Sequence, residues 1–166
     1  EAESMPAEVS NEMRESVMGK ARLCFGCGVC MGGCPVARVN EGFHPRRLVR
    51  ELVIGDWGKV LEGEEIWLCA QCHLCSETCP QGVGLSELIV DLRNMAVSAG
   101  VNPPEGYREN IRLVAETGRL APITSATLLS RNKLSLGDLD PVAAEEIREL
   151  VRGTKFMELI EGEEGG

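Results

Sequence analysis

Two stretches decide the fold: Cys24 to Pro35, CFGCGVCMGGCP, and Cys69 to Pro80, CAQCHLCSETCP. Both follow the pattern C-x2-C-x2-C-x3-C-P, and the second repeats the first at an offset of 45 residues. Together they hold all eight cysteines of the 166-residue chain: Cys24, Cys27, Cys30 and Cys34, then Cys69, Cys72, Cys75 and Cys79. Three thiolates at two-residue gaps wrap a short loop around one iron-sulfur cubane and occupy three of its four iron corners. The fourth corner needs a thiolate from elsewhere. Gly26, Gly28, Gly32 and Gly33 crowd the first loop, where a backbone wrapping a cluster adopts positive φ and approaches the sulfurs closely. They do not read as a phosphate loop, because cysteines intervene and no apolar strand precedes them.

The same spacing occurs in bacterial two-cluster ferredoxins, where the Cys before Pro ligates the other cluster. By that analogy Cys24, Cys27, Cys30 and Cys79 hold one [4Fe-4S] cluster, and Cys69, Cys72, Cys75 and Cys34 hold the second. Structural zinc would use the same thiols but needs only paired C-x2-C units, leaving the third Cys, the x3 gap and the Pro unexplained in both motifs. A thioredoxin-type C-x2-C is a lone pair on a βαβ unit, and here no thiol stands alone. A disulfide framework needs export, whereas the first residues, EAESMPAEVSNEMRES, lack the basic start and apolar stretch of a secretory signal. A cytoplasmic location with reduced thiols is therefore expected. His73, between Cys72 and Cys75, is expected beside a cluster or exposed rather than as a ligand, since four cysteines already serve each cluster. Phe25 and Trp67 flank the first cysteines of the two motifs, where they either shield a cluster from water or pack as ordinary apolar residues.

Outside the motifs the pattern is helical. The 34 residues from Pro35 to Leu68 contain PRRLVRELVIGDW, with Pro45 suited to a first helical position and Gly55 to the stop. Leu85, Leu88, Ile89, Leu92, Met95 and Ala96 form one apolar face that ends at Gly100. Two later helices are expected, from Pro104 to Thr117 and from an Asp140 cap through Arg152. The expected class is mainly α: an arm or helix over 1–19, a helical ferredoxin-like domain with two [4Fe-4S] clusters over 20–100, and a helical extension with an acidic tail over 101–166. Seventeen Lys and Arg against 26 Asp and Glu give a net charge of -9, which opposes nucleic-acid binding. No apolar run reaches the length of a membrane span, about 18 residues. Lys20, Arg22, Arg38, Arg46, Arg47 and Arg50 nevertheless concentrate positive charge near the first motif, either to dock a redox partner or to balance anionic clusters.

With two such motifs separated by a helical insertion, then WLCAQCHLCSETCPQGV, LRNMAVSAG and ETGRL, the sequence resembles the C subunit of heterodisulfide reductase over roughly residues 20 to 120. The resemblance implies a two-cluster electron relay between two other components of such a complex. One is the flavin-containing iron-sulfur A subunit. The other is the catalytic B subunit, which reduces a disulfide such as that of coenzymes M and B in methanogenesis. The chain itself has no adjacent Cys-Cys pair, no thiol outside the motifs and no flavin fingerprint, so relay rather than disulfide chemistry is expected of it. An iron-sulfur subunit of the succinate or fumarate reductase type is the alternative. Its second motif lacks the middle Cys, present here as Cys72, and it adds a plant-type [2Fe-2S] domain for which only 23 residues precede Cys24. A free ferredoxin would not need the long extension beyond residue 100, and a zinc-stabilised interaction module is the remaining, non-redox alternative.

Overall fold

A computed structural model describes residues 9–137, 144–154 and 156. Every regular element among them is helical, with no strand. The chain divides into two units, Glu1–Asn102 and Pro103–Gly166, and the cysteines lie in the first.

The first unit is organised around α6 (Leu85–Ser98), whose period-3.6 apolar stripe buries Leu85, Leu88, Ile89, Leu92, Met95 and Ala96. Each such side chain contributes about 1.5–3 kcal/mol relative to leaving it in water, which explains why this helix is central. Against it packs α1 (Asn11–Ala21), started by Ser10, whose hydroxyl accepts from the Met13 amide at 3.2 Å. Val17 and Ala21 are α1's buried positions, and Lys20 Nζ fixes it to Asp91 of α6 at 2.7 Å.

The insertion between the motifs forms α3 (Pro45–Ile54), α4 (Trp57–Glu62) and a 3-10 turn (Glu64–Leu68), after the short α2 (Val29–Gly33) of the first motif. Pro45 opens α3 and Gly55 ends it in the left-handed conformation, as their positions in the sequence suggest. Leu48, Val49 and Leu52 of α3, with Trp57, Val60 and Leu61 of α4, complete the core. Glu51 is buried among them and is neutralised by Lys59 of α4. The short α5 (Leu74–Glu77) belongs to the second motif and packs on α2.

In the second unit, α7 (Glu105–Thr117) ends at left-handed Gly118, and α9 (Ala144–Val151) packs on it, Arg148 Nε donating to Ala115 O at 3.2 Å. The Asp140 cap and Pro141 expected for α9 lie outside the described residues. Between them α8 (Ser125–Lys133), capped by Thr124, has no counterpart in the sequence reading. Its leucines Leu128 and Leu129 stay exposed, so it lacks the buried stripe by which helices are recognised.

Gly63 sits where α4 hands over to the 3-10 turn, and a Cβ there would lie 2.6 Å from Lys59 O, a backbone atom that cannot swing aside. Gly63→Ala is expected to destabilise the cluster-loaded chain by about 1–3 kcal/mol. Gly19→Ala, on the exposed side of α1 with nothing within 4 Å of its Cβ, is expected to stabilise it by about 0.5–1 kcal/mol. Opposite shifts in the anaerobic thermal midpoint would bear this out; shifts of one sign would refute it.

Candidate metal centre

The first cysteine loop enters the left-handed region twice, at Gly26 (φ 78°) and Gly28 (φ 82°). The second loop does so at Gln71 (φ 51°) and His73 (φ 60°), the residues 45 positions further on. Left-handed conformations cost non-glycine residues of order 1–3 kcal/mol each and persist only where the surroundings impose them. Two loops of different sequence thus take the same path. Local contacts hold the second: Gln71 Nε2 lies 3.5 Å from Cys69 Sγ, and His73 Nδ1 lies 3.0 Å from Ser86 Oγ and 3.2 Å from Glu87 Oε1.

These loops gather the sulfurs. Cys34, although it belongs to the first motif, lines one recess with Cys69, Cys72 and Cys75 of the second. The recess encloses ≈ 350 Å³ of atom-free space, its mouth included, and its walls include Val36, Phe43, Leu85 and Ile89. Cys24, Cys27 and Cys30 form the other group, close enough that charge on Cys24 and Cys27 adds to the burial that raises the Cys30 pKa. Cys79 is not on the wall of the recess. Its sulfur takes the amide of Val83 at 3.5 Å, as Cys34 takes the amide of Ala37 at 3.4 Å, so the last cysteines of the two repeats are held alike. The two groups are neighbours across α2 and α5, where a Cβ on Gly33 would come within 3.0 Å of Leu74 Cδ2.

Electrostatics show what the sulfurs require. Burial pushes the Cys75 thiol up to about 11, assisted by Cys69, Cys30 and Cys72. Cys69 is also raised by burial, while Gln71's amide and the Arg93 guanidinium pull in the other direction and Cys34 adds to the rise. Without compensating positive charge these thiols keep their protons; ligation by iron supplies that charge and releases the protons. Apolar walls, converging sulfurs and amides directed at sulfur fit a thiolate-bound iron-sulfur cluster, whose potential such features set.

Comparison with known proteins agrees. Residues 20–83 match the 4Fe-4S dicluster domain family. The C subunit of the ferredoxin/F(420)H(2)-dependent CoB-CoM heterodisulfide reductase of Methanosarcina acetivorans is 34% identical over 143 residues, 82% of this chain and 87% of that protein. The C subunit of the H(2):CoB-CoM heterodisulfide,ferredoxin reductase of Methanothermobacter thermautotrophicus is 30% identical over 159 residues, 92% and 85% of the two chains. A protein of Archaeoglobus profundus described as like the C subunit of heterodisulfide reductase is 29% identical over 167 residues, 96% and 85%. The chain belongs to the family of heterodisulfide reductase C subunits. It is an iron-sulfur electron-transfer subunit with two [4Fe-4S] clusters and part of a multi-subunit complex. No helix among the described residues is long and apolar enough to cross a membrane.

In this member of the heterodisulfide reductase family, Phe25 is 63% exposed, whereas Trp67 is buried beneath the Arg93 guanidinium, 5.7 Å from the ring centroid. Arg93 of α6 was missed by sequence reading. It donates to Ile66 O at 2.9 Å and to Cys69 O at 2.7 Å, fixing the chain as it enters the second loop. Missed too was a polar knot joining α5 to α6: Ser76 and Ser86 hydroxyls donate to Glu87 Oε2 at 2.6 and 2.9 Å. Hydrogen bonds from Ser76, its own amide and Ser86 lower the Glu87 pKa from 4.5 to about 2. Because the folded-state value is depressed, the stability this carboxylate confers is complete above about pH 4.5 and lost as pH falls through about 2. Glu87→Gln is therefore expected to lower the thermal midpoint at pH 7 modestly, the side chain being half exposed, and the gap from the parent should close towards acid. A pH-independent gap would show that the carboxylate's charge is not what matters.

Proposed function

We propose that this chain relays electrons, in the cytoplasm, between a flavin- and iron-sulfur-containing A subunit and a catalytic B subunit that reduces a disulfide of the coenzyme M and coenzyme B type. The names of the relatives support the substrate class and the complex. The absence from the sequence of any cysteine outside the two motifs supports a relay, because no thiol is left over for disulfide exchange. Bound [4Fe-4S] clusters supply single-electron uptake and release. The chain's own residues hold them, limit water around the second and keep the two adjacent.

Cys69, Cys72, Cys75 and Cys34 are assigned to one cluster, and Cys24, Cys27, Cys30 and Cys79 to the other. The observation that carries this assignment is the place of Cys34 on the wall shared with the three second-motif cysteines. The 45-residue repeat carries it over to Cys79. The domain division proposed with it is an arm or helix over 1–19, a two-cluster helical ferredoxin-like domain over 20–100 and a helical extension with an acidic tail over 101–166.

Anaerobic analysis of this chain after separation from the proteins that copurify with it is expected to give about eight iron and eight sulfide per chain, with flavin in the copurifying fraction. Two zinc and no sulfide would leave an interaction module instead. Cys34→Ser is expected to remove about half the iron and to erase the EPR signal of the second-motif cluster while the first remains. Selective loss of the first-motif cluster would overturn the ligand assignment.

A further inference from the structure

The cations that the sequence concentrates near the first motif fall into two groups in the structure. Lys20 is paired with Asp91, Arg47 with Glu65, and Arg38 and Arg46 are bound to the loop carbonyls of Gly32 and Gly26. Arg22 and Arg50, both exposed, have no side-chain partner among the described residues. They flank an apolar surface. Phe25, Val53 and Ile54 line a depression with Cys24, Arg46 and Arg50, and Val53 and Ile54 continue it into a groove along α1 that holds Arg14, Met18 and Arg22. Phe25 and Ile54 are 63% and 66% exposed, Leu23 and Val53 nearly half. Glu15 is the carboxylate in that groove, and the depression beside Cys24 contains none.

We infer that this face, formed by the end of α1, the first cysteine loop and the end of α3, is the docking surface through which the first-motif cluster exchanges electrons with an acidic protein partner. The inference rests on the electron-relay reading above and adds where the relay is tapped and by what surface chemistry. An apolar centre with an arginine-bearing rim is the composition of a protein interface. Two exposed cations without a side-chain partner among the described residues, on a chain of net charge -9, select a partner that presents carboxylates around an apolar patch. Electron transfer weakens steeply with distance, and here the ligand groups reach the surface: Cys24 is on the wall of the depression and Cys27 is exposed. A second copy of this chain is disfavoured, since a two-fold contact on this face would set one arginine-bearing surface against another.

The test uses the cluster-loaded full chain and the electron-carrying protein that copurifies with it in the isolated complex. In stopped-flow mixing, Arg22→Glu with Arg50→Glu is expected to slow cluster reduction by that protein about 10- to 100-fold at low salt and to flatten the salt dependence. Absorbance and EPR of both clusters should be unchanged. Arg22→Lys with Arg50→Lys keeps the charge and should keep the rate, while its new amines couple through carbodiimide to Asp or Glu of the partner. An unchanged rate and salt dependence in the glutamate variant, with electrons still passing, would overturn the docking face and leave the relay intact. A parent chain whose clusters are reduced by no copurifying protein would remove both. A change confined to the chain's own sedimentation would make the face a self-contact and overturn the proposal.

Discussion

Cysteine sulfurs brought into two adjacent groups are the constraint on which the first unit depends. Burial and mutual repulsion both oppose the thiolate form, as the rise of Cys75 to about 11 shows, with Cys30 of the other group among its causes. As thiolates the sulfurs converge stably only when cationic metal stands between them. The polypeptide prepares for that charge. Two helices begin at the recess of the second motif, α3 at Pro45 and α6 at Leu85, and both residues line it. The first residues of two helices thus border the recess, which places positive dipole ends near where an anionic, thiolate-bound cluster would sit.

The two halves of the repeat meet one backbone requirement with different residues. In the first loop the left-handed positions are Gly26 and Gly28, and Arg46 clamps the carbonyl of Gly26 at 3.2 Å. In the second they are Gln71 and His73, Arg93 takes the carbonyl of Cys69, and the Ser76, Ser86 and Glu87 knot secures the helix that follows. A guanidinium on a backbone carbonyl recurs in both, supplying positive charge beside each group of sulfurs while fixing the loop. Arg46 among the arginines near the first motif, and Arg93 beside the second, therefore place positive charge near the sulfurs while bracing the loops.

The eight cysteines were legible because their spacing is a direct consequence of wrapping one cluster per loop, and α3 and α6 because their apolar stripes and glycine stops are local. The iron-sulfur class and the helical fold followed from those features and the family from the resemblance of the flanking segments, and the comparisons agree. What escaped has a physical reason in each case. Arg93 acts on carbonyls 24 to 27 residues earlier, a contact that no periodicity encodes. Gln71 and His73 are not glycines, so composition gave no sign of their backbone, although aligning the repeat at 45 residues sets them on Gly26 and Gly28. Helix α8 leaves its leucines in solvent, so it has no stripe against the unit that contains it.

The insertion that lengthens this chain beyond a compact ferredoxin hairpin is more than a spacer. Adjacent residues of α3 serve different sites: Pro45 lines the recess of Cys69, Cys72, Cys75 and Cys34, while Arg46 holds the loop of Cys24 and Cys27. Further along the same helix, Leu48 and Leu52 lie in the core and Val53 and Ile54 emerge beside Cys24. One helix therefore encloses the second group of sulfurs, braces the first and contributes surface where the first meets solvent. Exposure is among the levers that set cluster potential. An insertion placed this way gives two chemically similar loops different surroundings: Phe43, Leu85 and Ile89 wall the recess of the second and Val53 and Ile54 lie beside Cys24 of the first, while the equivalent Cys27 and Cys72 are both exposed. Different surroundings let the two sites differ in potential, while the donor and the acceptor set the direction in which electrons flow.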